Sequence, residues 1–413
     1  MMNKPKDNRP LIIGLDIGTS KVAAIVAELR ADGGFEVIGM GSHPSRGLKK
    51  GVVVNIEATV NAIQRALEEA ELMADCKIRD VYTGIAGSHI KSINSRGAAA
   101  IKNHEVTQQD VDRVMETAKA IRIPADQQVL HILNQEFTVD GQGDVREPLG
   151  MSGVRLEVNV HIVTGAVSAA QNIIKCVRRC GLEVRDLILQ PLASATAVLS
   201  DDERELGVCL VDIGGGTTDI AVFTQGAIRH TGVIPIAGDQ ITNDIAMALR
   251  TPTKDAEEIK QRHGCALRQI ADPQHPVEVP GLGERGPRQL SRQTLAEVIE
   301  PRVEELYSLV QAELRRSGHE ELLSSGIVIT GGSSLMQGMV ELGEEIFHMP
   351  VRIGTPRYQG GLSEVVRHPR YATAVGLLLL GLQQQRQHRL AYAQTGSARR
   401  VLERMKSWFT GNF

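Results

Sequence analysis

Aromatic side chains are scarce in this chain of 413 residues, at 3%, and its single tryptophan, Trp408, lies close to the C-terminal end. Neither sign of charge dominates, because 46 basic and 49 acidic side chains leave a formal charge of −3. Global charge therefore predicts no attraction to nucleic acid, and we expect no nucleic-acid partner. The rest of the composition, 42% hydrophobic and 23% charged, is typical of a globular protein. The length predicts two to four domains of about 100–200 residues.

Metal-binding, membrane-spanning and secretion signals are also missing. The five cysteines have no metal-ligand spacing, and we interpret them as structural thiols. The longest apolar run, Ala374 to Leu382, is far shorter than the ~20 residues that cross a bilayer. The polar stretch Met1 to Pro10 lacks the apolar core of a signal peptide. We expect the protein to stay in the cytosol.

The two common nucleotide-binding motifs, G-x-x-x-x-G-K-[ST] and G-x-G-x-x-G before a helix, do not occur. What does occur is a repeated pattern of apolar strand, Asp, Gly/Thr turn and second strand, over residues 14–26 and 211–223. Asp16 and Asp212 end the first strand of each copy, and a third glycine loop follows the apolar run Ile327 to Thr330. The repeat predicts a duplicated fold, with chance similarity of short Asp-Ile-Gly stretches as the alternative.

The three loops have the chemistry of a phosphate site. Glycines after a strand let backbone N–H groups approach phosphate oxygens, and nearby hydroxyls add donors. Asp16 and Asp212 are suited to hold Mg²⁺, mainly through its water shell. Lys21 is a charge partner for the phosphates or, alternatively, a solvated loop lysine. The predicted nucleotide-binding residues are Gly18, Thr19, Ser20, Lys21, Gly214, Gly215, Gly216, Thr217, Thr218, Gly331, Gly332 and Ser333.

The order of strand, Asp-Gly-Thr turn and strand resembles the actin, heat-shock chaperone and sugar-kinase superfamily. The resemblance implies an α/β fold in which two duplicated halves, each with a ribonuclease-H-like core, close over ATP and Mg²⁺. It also implies that Gln190 orients an attacking water, with Asp16 and Asp212 as the other catalytic candidates. Glu257 and Lys260 match the superfamily helix that flanks the nucleoside, although an ordinary i,i+3 surface pair is the alternative.

Five further segments resemble the FtsA family of bacterial actin-like division proteins. They are Ser45 to Val53, Ala70 to Ala74, Thr83 to Ile90, Arg262 to Ala266 and Gln293 to Arg302. The resemblance implies a scaffold, at most a slow ATPase, that polymerises with ATP bound at the cytoplasmic face of the inner membrane. It further implies that the protein anchors the ring of tubulin-like FtsZ at the division site and recruits later division proteins. A soluble sugar-kinase-type phosphotransferase and a chaperone-type ATPase are the alternatives.

The hydrophobic patterns and this resemblance together predict the domain organisation. Helical periodicity over Ile56 to Ala74 predicts an apolar stripe that includes Leu67, Ala70 and Leu72, and the last apolar helix is predicted over Tyr371 to Leu382. The predicted units are the first-half core (1–83 and 163–200, completed by 361–385), an inserted subdomain 1C (84–162), the second-half core (201–231 and 305–360), a second-half lobe (232–304), a linker (386–397) and a C-terminal amphipathic helix (398–413).

The C-terminal segment has the pattern of a membrane-surface helix. At about 100° per residue its apolar side chains share one arc of roughly 120°, and its basic side chains lie on the opposite side, with Arg404 near the boundary. This pattern suits the headgroup region of an anionic inner leaflet. Docking on the protein's own body or on a partner groove is the alternative. The predicted membrane-binding residues are Val401, Leu402, Met405, Trp408, Phe409, Arg399, Arg400, Arg404 and Lys406.

Arginines in the second-half lobe are candidates for binding the acidic C-terminal peptide of FtsZ, which the family receives on this lobe. Guanidinium groups pair with carboxylates through two parallel hydrogen bonds. A solvated loop is the alternative, because Glu284, Glu297, Glu300 and Glu304 lie nearby. The candidates are Arg285, Arg288, Arg292 and Arg302.

Overall fold

The computed structural model describes residues 10–30, 34–283 and 286–387. Within them the strands are β1 (Leu11–Ile17), β2 (Lys21–Leu29), β3 (Phe35–Pro44), β4 (Leu48–Lys49), β5 (Val52–Val53), β6 (Asp80–Ile85), β7 (Lys91–Ala100), β8 (Gln127–Val139), β9 (Gln142–Val145), β10 (Arg155–Ala166), β11 (Glu183–Leu189), β12 (Val208–Ile213), β13 (Thr218–Thr224), β14 (Ala227–Ile234), β15 (Pro276–Val279), β16 (Arg288–Ser291), β17 (Ile327–Thr330) and β18 (Val351–Ile353).

The helices follow in the same order. They are α1 (Ile56–Ala74), α2 (Gln108–Lys119), α3 (Val167–Arg179), α4 (Gln190–Val198), α5 (Asp201–Leu206), α6 (Gly238–Leu249), α7 (Thr253–His263), α8 (Arg292–Ser317), α9 (Met339–Phe347), α10 (Ser363–Val366) and α11 (residues 372–387). No helix within the described ranges is both long enough and apolar enough to cross a membrane.

Two five-stranded sheets form the centre of the molecule, and they have the same topology. Their strand orders are β3-β2-β1-β6-β11 and β14-β13-β12-β17-β18. In each sheet the first three strands pair antiparallel and the last two join them in parallel. The central strands are apolar and buried along nearly their whole length, as expected for a sheet covered on both faces. The duplicated α/β fold predicted from the repeat is confirmed.

In the chain, the segment between β6 and β11 of the first half contains a separate four-stranded sheet. Its order is β7-β10-β8-β9, and α2 packs on one face over a core that includes Val114, Leu156 and Ile162. We call this unit, β7 to β10 with α2, the inserted lobe. It overlaps the predicted subdomain 1C (84–162), although β10 continues to Ala166. The exact domain boundaries remain predictions.

Helix α1 has the bounds that its periodicity predicts, and it packs closely on β3. Asn55 caps it, since its Oδ1 accepts the N–H of Ala58 at 3.0 Å. A Cβ placed on Gly41 would lie 2.0 Å from the carbonyl oxygen of Ala66, so only glycine permits this approach. The predicted stripe is wrong at Leu72, which is 84% exposed, because α1 buries the faces of Leu67 and Ala70 instead.

Helix α11 joins the two halves. A Cβ placed on Gly376 would lie 1.8 Å from the carbonyl oxygen of Ala193, so α11 and α4 touch at the backbone. One buried core cluster contains Ile12 of the first sheet, Val328 of the second and Leu378 of α11. The helix does not stop at Leu382 as predicted, because the Gln- and Arg-rich stretch after it remains helical to residue 387.

Candidate functional site

The two repeated turns, one from each half, lie against each other, and we call the site that they form the cleft. Each turn is closed by a backbone hydrogen bond, from Gly18 N–H to the carbonyl oxygen of Lys21 at 2.9 Å and from Gly214 N–H to that of Thr217 at 3.0 Å. A Cβ placed on Gly216 would lie 2.6 Å from Thr19 Oγ1. A Cβ on the neighbouring Gly215 would lie 2.9 Å from the Cβ of Ser20. The predicted first and second phosphate loops are therefore adjacent in space.

The third glycine loop meets the second loop at the same edge. Gly331 has a φ of 86°, and a Cβ there would lie 2.5 Å from Asp212 Oδ1. Ser333 Oγ donates to the carbonyl oxygen of Gly214 at 3.0 Å, which ties the third loop to the second. The second and third loops follow the parallel neighbours β12 and β17 and so end at the same edge of their sheet. The first loop reaches this site from the other sheet, so all three loops meet there.

Asp16 lies on the first-half side of the cleft and is already paired. Lys21 Nζ lies 2.6 Å from Asp16 Oδ2 and 5.5 Å from the ring centre of Tyr371. Gln190, at the start of α4, directs its amide nitrogen toward Asp16 Oδ1 at 3.5 Å. The structure therefore brings together Asp16, Lys21 and Gln190, and Lys21 is a cleft residue.

Asp212 lies on the opposite side and is buried. Ser194 Oγ donates to Asp212 Oδ2 at 2.6 Å, and Thr373 Oγ1 donates to the same oxygen at 3.4 Å. Burial raises the pKa of Asp212, and the charge of Asp16 raises it further against the opposing effect of the Ser194 hydrogen bond. The two carboxylates are thus close enough to repel each other across the cleft.

Asp219 adds a third carboxyl group that the sequence reasoning did not assign. It pairs with Asp212 across the β12–β13 hairpin, and burial followed by the charge of Asp212 raises its pKa to about 8. Its Oδ1 is buried without a hydrogen-bond partner. Within the described part of the chain no three His, Cys, Asp or Glu side chains are placed to bind one ion directly. Asp16 and Asp212 instead fit a nucleotide-bound Mg²⁺ that is held mainly through its water shell.

Glu257 and Lys260 lie on α7 and contact the start of α6, beside the third loop. Lys260 is 8% exposed, and its Nζ lies 2.7 Å from Glu257 Oε2 while donating to the carbonyl oxygen of Gly238 at 2.9 Å. Burial acts to raise the pKa of Glu257, but the charge and hydrogen bond of Lys260 outweigh it, and the net pKa is lowered. Because Lys260 is buried and bonded to Gly238, the pair is not a solvated surface pair. Gly238 in turn lies next to the third loop, since a Cβ there would lie 2.5 Å from Ser333 Oγ.

The β4–β5 hairpin is a further wall of the cleft that the motif reading passed over. Gly51 N–H donates to Thr19 Oγ1 at 3.1 Å, and the backbone nitrogen of Lys50 lies 3.0 Å from where a Cβ on Gly216 would stand. The glycine and lysine residues of the segment Ser45 to Val53 were the sequence feature that could have indicated this part of the site.

The three candidate arginines that the structure describes in the second-half lobe are each bonded to a different part of the lobe. Arg292 donates to the carbonyl oxygens of His263 at 2.8 Å and Gly264 at 3.1 Å, and Arg288 donates to that of Leu249. Arg302 pairs with Asp244 at 2.5 Å. Arg285 lies outside the described residues, as do all nine predicted membrane-binding residues between Arg399 and Phe409.

Solved structures place this architecture among actin-like proteins. The PilM–PilN type IV pilus biogenesis complex aligns with a TM-score of 0.65 at 17% identity, covering 90% of this chain and 98% of that chain. MreB5 of Spiroplasma citri bound to ADP aligns at 0.54 and 16% identity, covering 93% and 99%. The MamK double helical filament aligns at 0.51 and 14% identity, covering 90% and 98%. The duplicated sheets and their cleft therefore define an actin-like fold.

Sequence comparison narrows this class to one family. The model of cell division protein FtsA matches residues 209–376, and that of the SHS2 domain inserted in FtsA matches residues 87–164. Cell division protein FtsA of Pseudomonas aeruginosa is 63% identical over 98% of both chains. That of Escherichia coli is 48% identical over 98% of this chain and 99% of its own. This chain belongs to the FtsA family of cell division proteins, which confirms the resemblance drawn from the motifs.

Proposed function

We propose that this protein binds ATP and Mg²⁺ between its halves and acts in cell division as a polymerising scaffold. The observation that carries the nucleotide proposal is the meeting of three glycine loops around the buried carboxylates of Asp16 and Asp212. Binding of ADP by MreB5, which shares the fold, supports the same use of the cleft.

The cleft residues have distinct roles in this proposal. Asp16 and Asp212 hold the ion through its water ligands, and Gly18 to Lys21 with Gly214 to Thr218 surround the phosphates. Gly331 to Ser333, Glu257 and Lys260 line the nucleoside side. Mg²⁺ supplies the charge that offsets the triphosphate. Gln190 orients water next to Asp16, which is consistent with at most a slow ATPase whose main role is structural.

Substitution of Asp212 by Asn tests the nucleotide site without changing side-chain size. We expect Asp212→Asn to weaken binding of a fluorescent ATP analogue in the presence of Mg²⁺ by at least tenfold. Asp202→Asn, at an exposed carboxyl group on α5, is the matched control and should bind as the unaltered protein does. Equal affinity in both variants would remove Asp212 from the site.

For the scaffold we propose filament formation, attachment to the FtsZ ring and recruitment of later division proteins. The supports are the family and the fold shared with the MamK double helical filament. We further propose a peripheral position on the cytoplasmic face of the inner membrane at the division site, through the basic amphipathic pattern of residues 398–413 binding anionic lipid.

The FtsZ peptide is proposed to bind the second-half lobe through its arginines. Arg302 already pairs with Asp244 and Glu305, so an acidic peptide would have to replace existing partners there. We expect Arg285→Glu with Arg288→Glu to abolish capture of the FtsZ C-terminal peptide. Arg315→Glu, near the far end of α8 and 61% exposed, is the control. Full capture by the double variant would move the partner site elsewhere.

A further inference from the structure

The inserted lobe belongs to the first half by its place in the chain, but it is hydrogen-bonded to the second half. Its side chains donate hydrogen bonds to backbone carbonyls of β14, which is the edge strand of the second sheet. These hydrogen bonds are Ser92 Oγ to Thr231 O at 3.2 Å, Asn94 Nδ2 to Arg229 O at 3.1 Å and Gln135 Nε2 to Ile228 O at 2.9 Å. We call this set the β14 clamp. Because the acceptors are backbone carbonyls, these hydrogen bonds depend on the position of β14 itself.

A buried histidine extends the β14 clamp into the interior. His161 is 1% exposed, and its Nδ1 lies 2.7 Å from Asn94 Oδ1 while its Nε2 lies 3.0 Å from Thr231 Oγ1. A neutral imidazole satisfies both contacts, with one nitrogen donating and the other accepting. The link between lobe and strand is therefore fixed in geometry and fully hydrogen-bonded at its centre.

Strand β14 leads from the clamp directly into the cleft. Beyond its last residue, Ile234, the carbonyl oxygen of Ile236 accepts from Thr218 Oγ1 at 2.8 Å. The N–H of Gly238 then donates to the carbonyl oxygen of Gly214 at 3.1 Å. A shift of the second phosphate loop therefore acts on the strand that the inserted lobe holds.

The lobe also contacts the first-half wall of the cleft. His131 of β8 accepts the backbone N–H of Leu189 through Nε2 at 2.9 Å. Burial lowers the pKa of His131, which favours the neutral ring that this contact needs. Leu189 directly precedes Gln190, whose amide points at Asp16. The same small domain thus touches the backbone on both sides of the nucleotide loops.

We propose that the inserted lobe is a coupling element that senses closure of the cleft through the β14 clamp and through His131. Its orientation and the affinity for nucleotide then depend on each other, because coupling between two sites is reciprocal. A partner that binds one orientation of the lobe more tightly than the other changes nucleotide affinity by the same factor as nucleotide changes the binding of that partner. This inference rests on the proposed binding of ATP.

The experiment is hydrogen–deuterium exchange of the full chain with and without ATP and Mg²⁺, alongside direct measurement of ATP affinity. We expect ATP to slow exchange in residues 91–95 and 227–234. In Asn94→Ala with Gln135→Ala that protection should disappear, and ATP affinity should change by at least about fivefold, the lower end of typical couplings. Asn103→Ala with Gln109→Ala removes an exposed Asn and Gln from the same lobe and should behave as the unaltered protein.

The possible failures are distinguishable. If the unaltered protein binds ATP while exchange in both segments is unchanged, the coupling is overturned and the nucleotide site stands. If it binds no ATP, both proposals fall. If the double variant does not fold, Ser92→Ala removes a single clamp hydrogen bond. Retention of the full ATP-induced protection and of the full ATP affinity in that variant would overturn the coupling.

Discussion

Gly331 and Gly332 are neighbours in the third loop, but only one of them has room for a side chain. Gly331 has a positive φ, and a Cβ there would lie 2.4 Å from the carbonyl oxygen of Ile213 and 2.5 Å from Asp212 Oδ1. At Gly332 the nearest atom to a Cβ is 3.8 Å away. We expect Gly331→Ala to lose stability by about 1–3 kcal/mol and to bind ATP poorly, since it displaces Asp212.

Gly332→Ala is the matched variant for stability and should unfold like the unaltered protein, because a Cβ there meets no protein atom closer than 3.8 Å. Urea unfolding followed by nucleotide titration measures both quantities. Equal behaviour of the two alanine variants would contradict the packing of the third loop on Asp212.

His161 makes the stability of the protein depend on pH. Burial, with the nearby His230 and His319, lowers its pKa to about 4. In the unfolded chain the group takes up its proton near pH 6.5, so the unfolded state binds more protons as the pH falls from 6.5 toward 4. Stability is therefore fully present above pH 6.5 and is lost below it, by roughly 2 kcal/mol at pH 5 from this group.

Urea unfolding at pH 7.5 and pH 5 checks this expectation. His161→Gln should be less stable at pH 7.5 but should lose less on acidification, because it has no proton to take up. The same loss in both proteins would assign the pH dependence to other groups.

The contrast between assigned and missed site residues has a physical cause. Asp16, Asp212 and the glycine loops could be predicted because each stands at the end of an apolar strand, a local pattern. Ser194 and Thr373 reach Asp212 only through the packing of α4 and α11, which no spacing in the chain records. Asp219 could have been predicted from the sequence, because a hairpin with its turn at Gly214 to Thr217 places Asp219 opposite Asp212.

Helix α1 offers a direct comparison of two leucines that periodicity treats alike. Leu67 is 6% exposed in the first-half core, whereas Leu72 is 84% exposed. We expect Leu67→Ala to lower the free energy of unfolding by about 2–5 kcal/mol, through lost burial and the cavity it leaves. Leu72→Ala should change it by no more than about 0.5 kcal/mol. Chemical denaturation of both variants decides, and a large loss at Leu72 would place it in a core.

Periodicity predicted helices better where both ends carry a local signal. The start of α1 is marked by the Asn55 cap, and its end by Asp75 in a left-handed conformation. Around Leu382 the sequence carries no such stop signal, since the Gln and Arg residues that follow are good helix formers. In this extension of α11, Gln384 donates at 2.5 Å to the carboxylate of Asp186, which lies on β11, far away in the chain.

The two halves are not independent units joined by a flexible connection. The core cluster that contains Ile12, Ala193, Val328 and Leu378 draws on both sheets and on the helices between them. The proposed closure of the cleft would therefore take the form of small movements around this shared core. The inserted lobe forms a second contact between the halves. Repetition in the sequence predicted the two sheets, but the lobe's grip on β14 depends on contacts that only the folded chain creates.

Attachment to lipid should depend on assembly rather than on one tail. Burial of Trp408 and its apolar neighbours is worth about 1.5–3 kcal/mol per side chain, and ordering the segment opposes it at about 1–2 kcal/mol per residue. A single tail therefore binds weakly, and a filament that presents many tails binds through avidity.

In sedimentation with anionic vesicles and ATP, we expect binding to rise steeply with protein concentration. Trp408→Glu should weaken it at least tenfold while Trp408→Phe largely retains it, and Asp212→Asn should remove the steep rise because it prevents nucleotide-dependent assembly. Equal recovery of the unaltered protein and Trp408→Glu in the supernatant would contradict membrane anchoring by this segment, whereas binding that is strong but simply proportional to concentration would contradict its dependence on the filament.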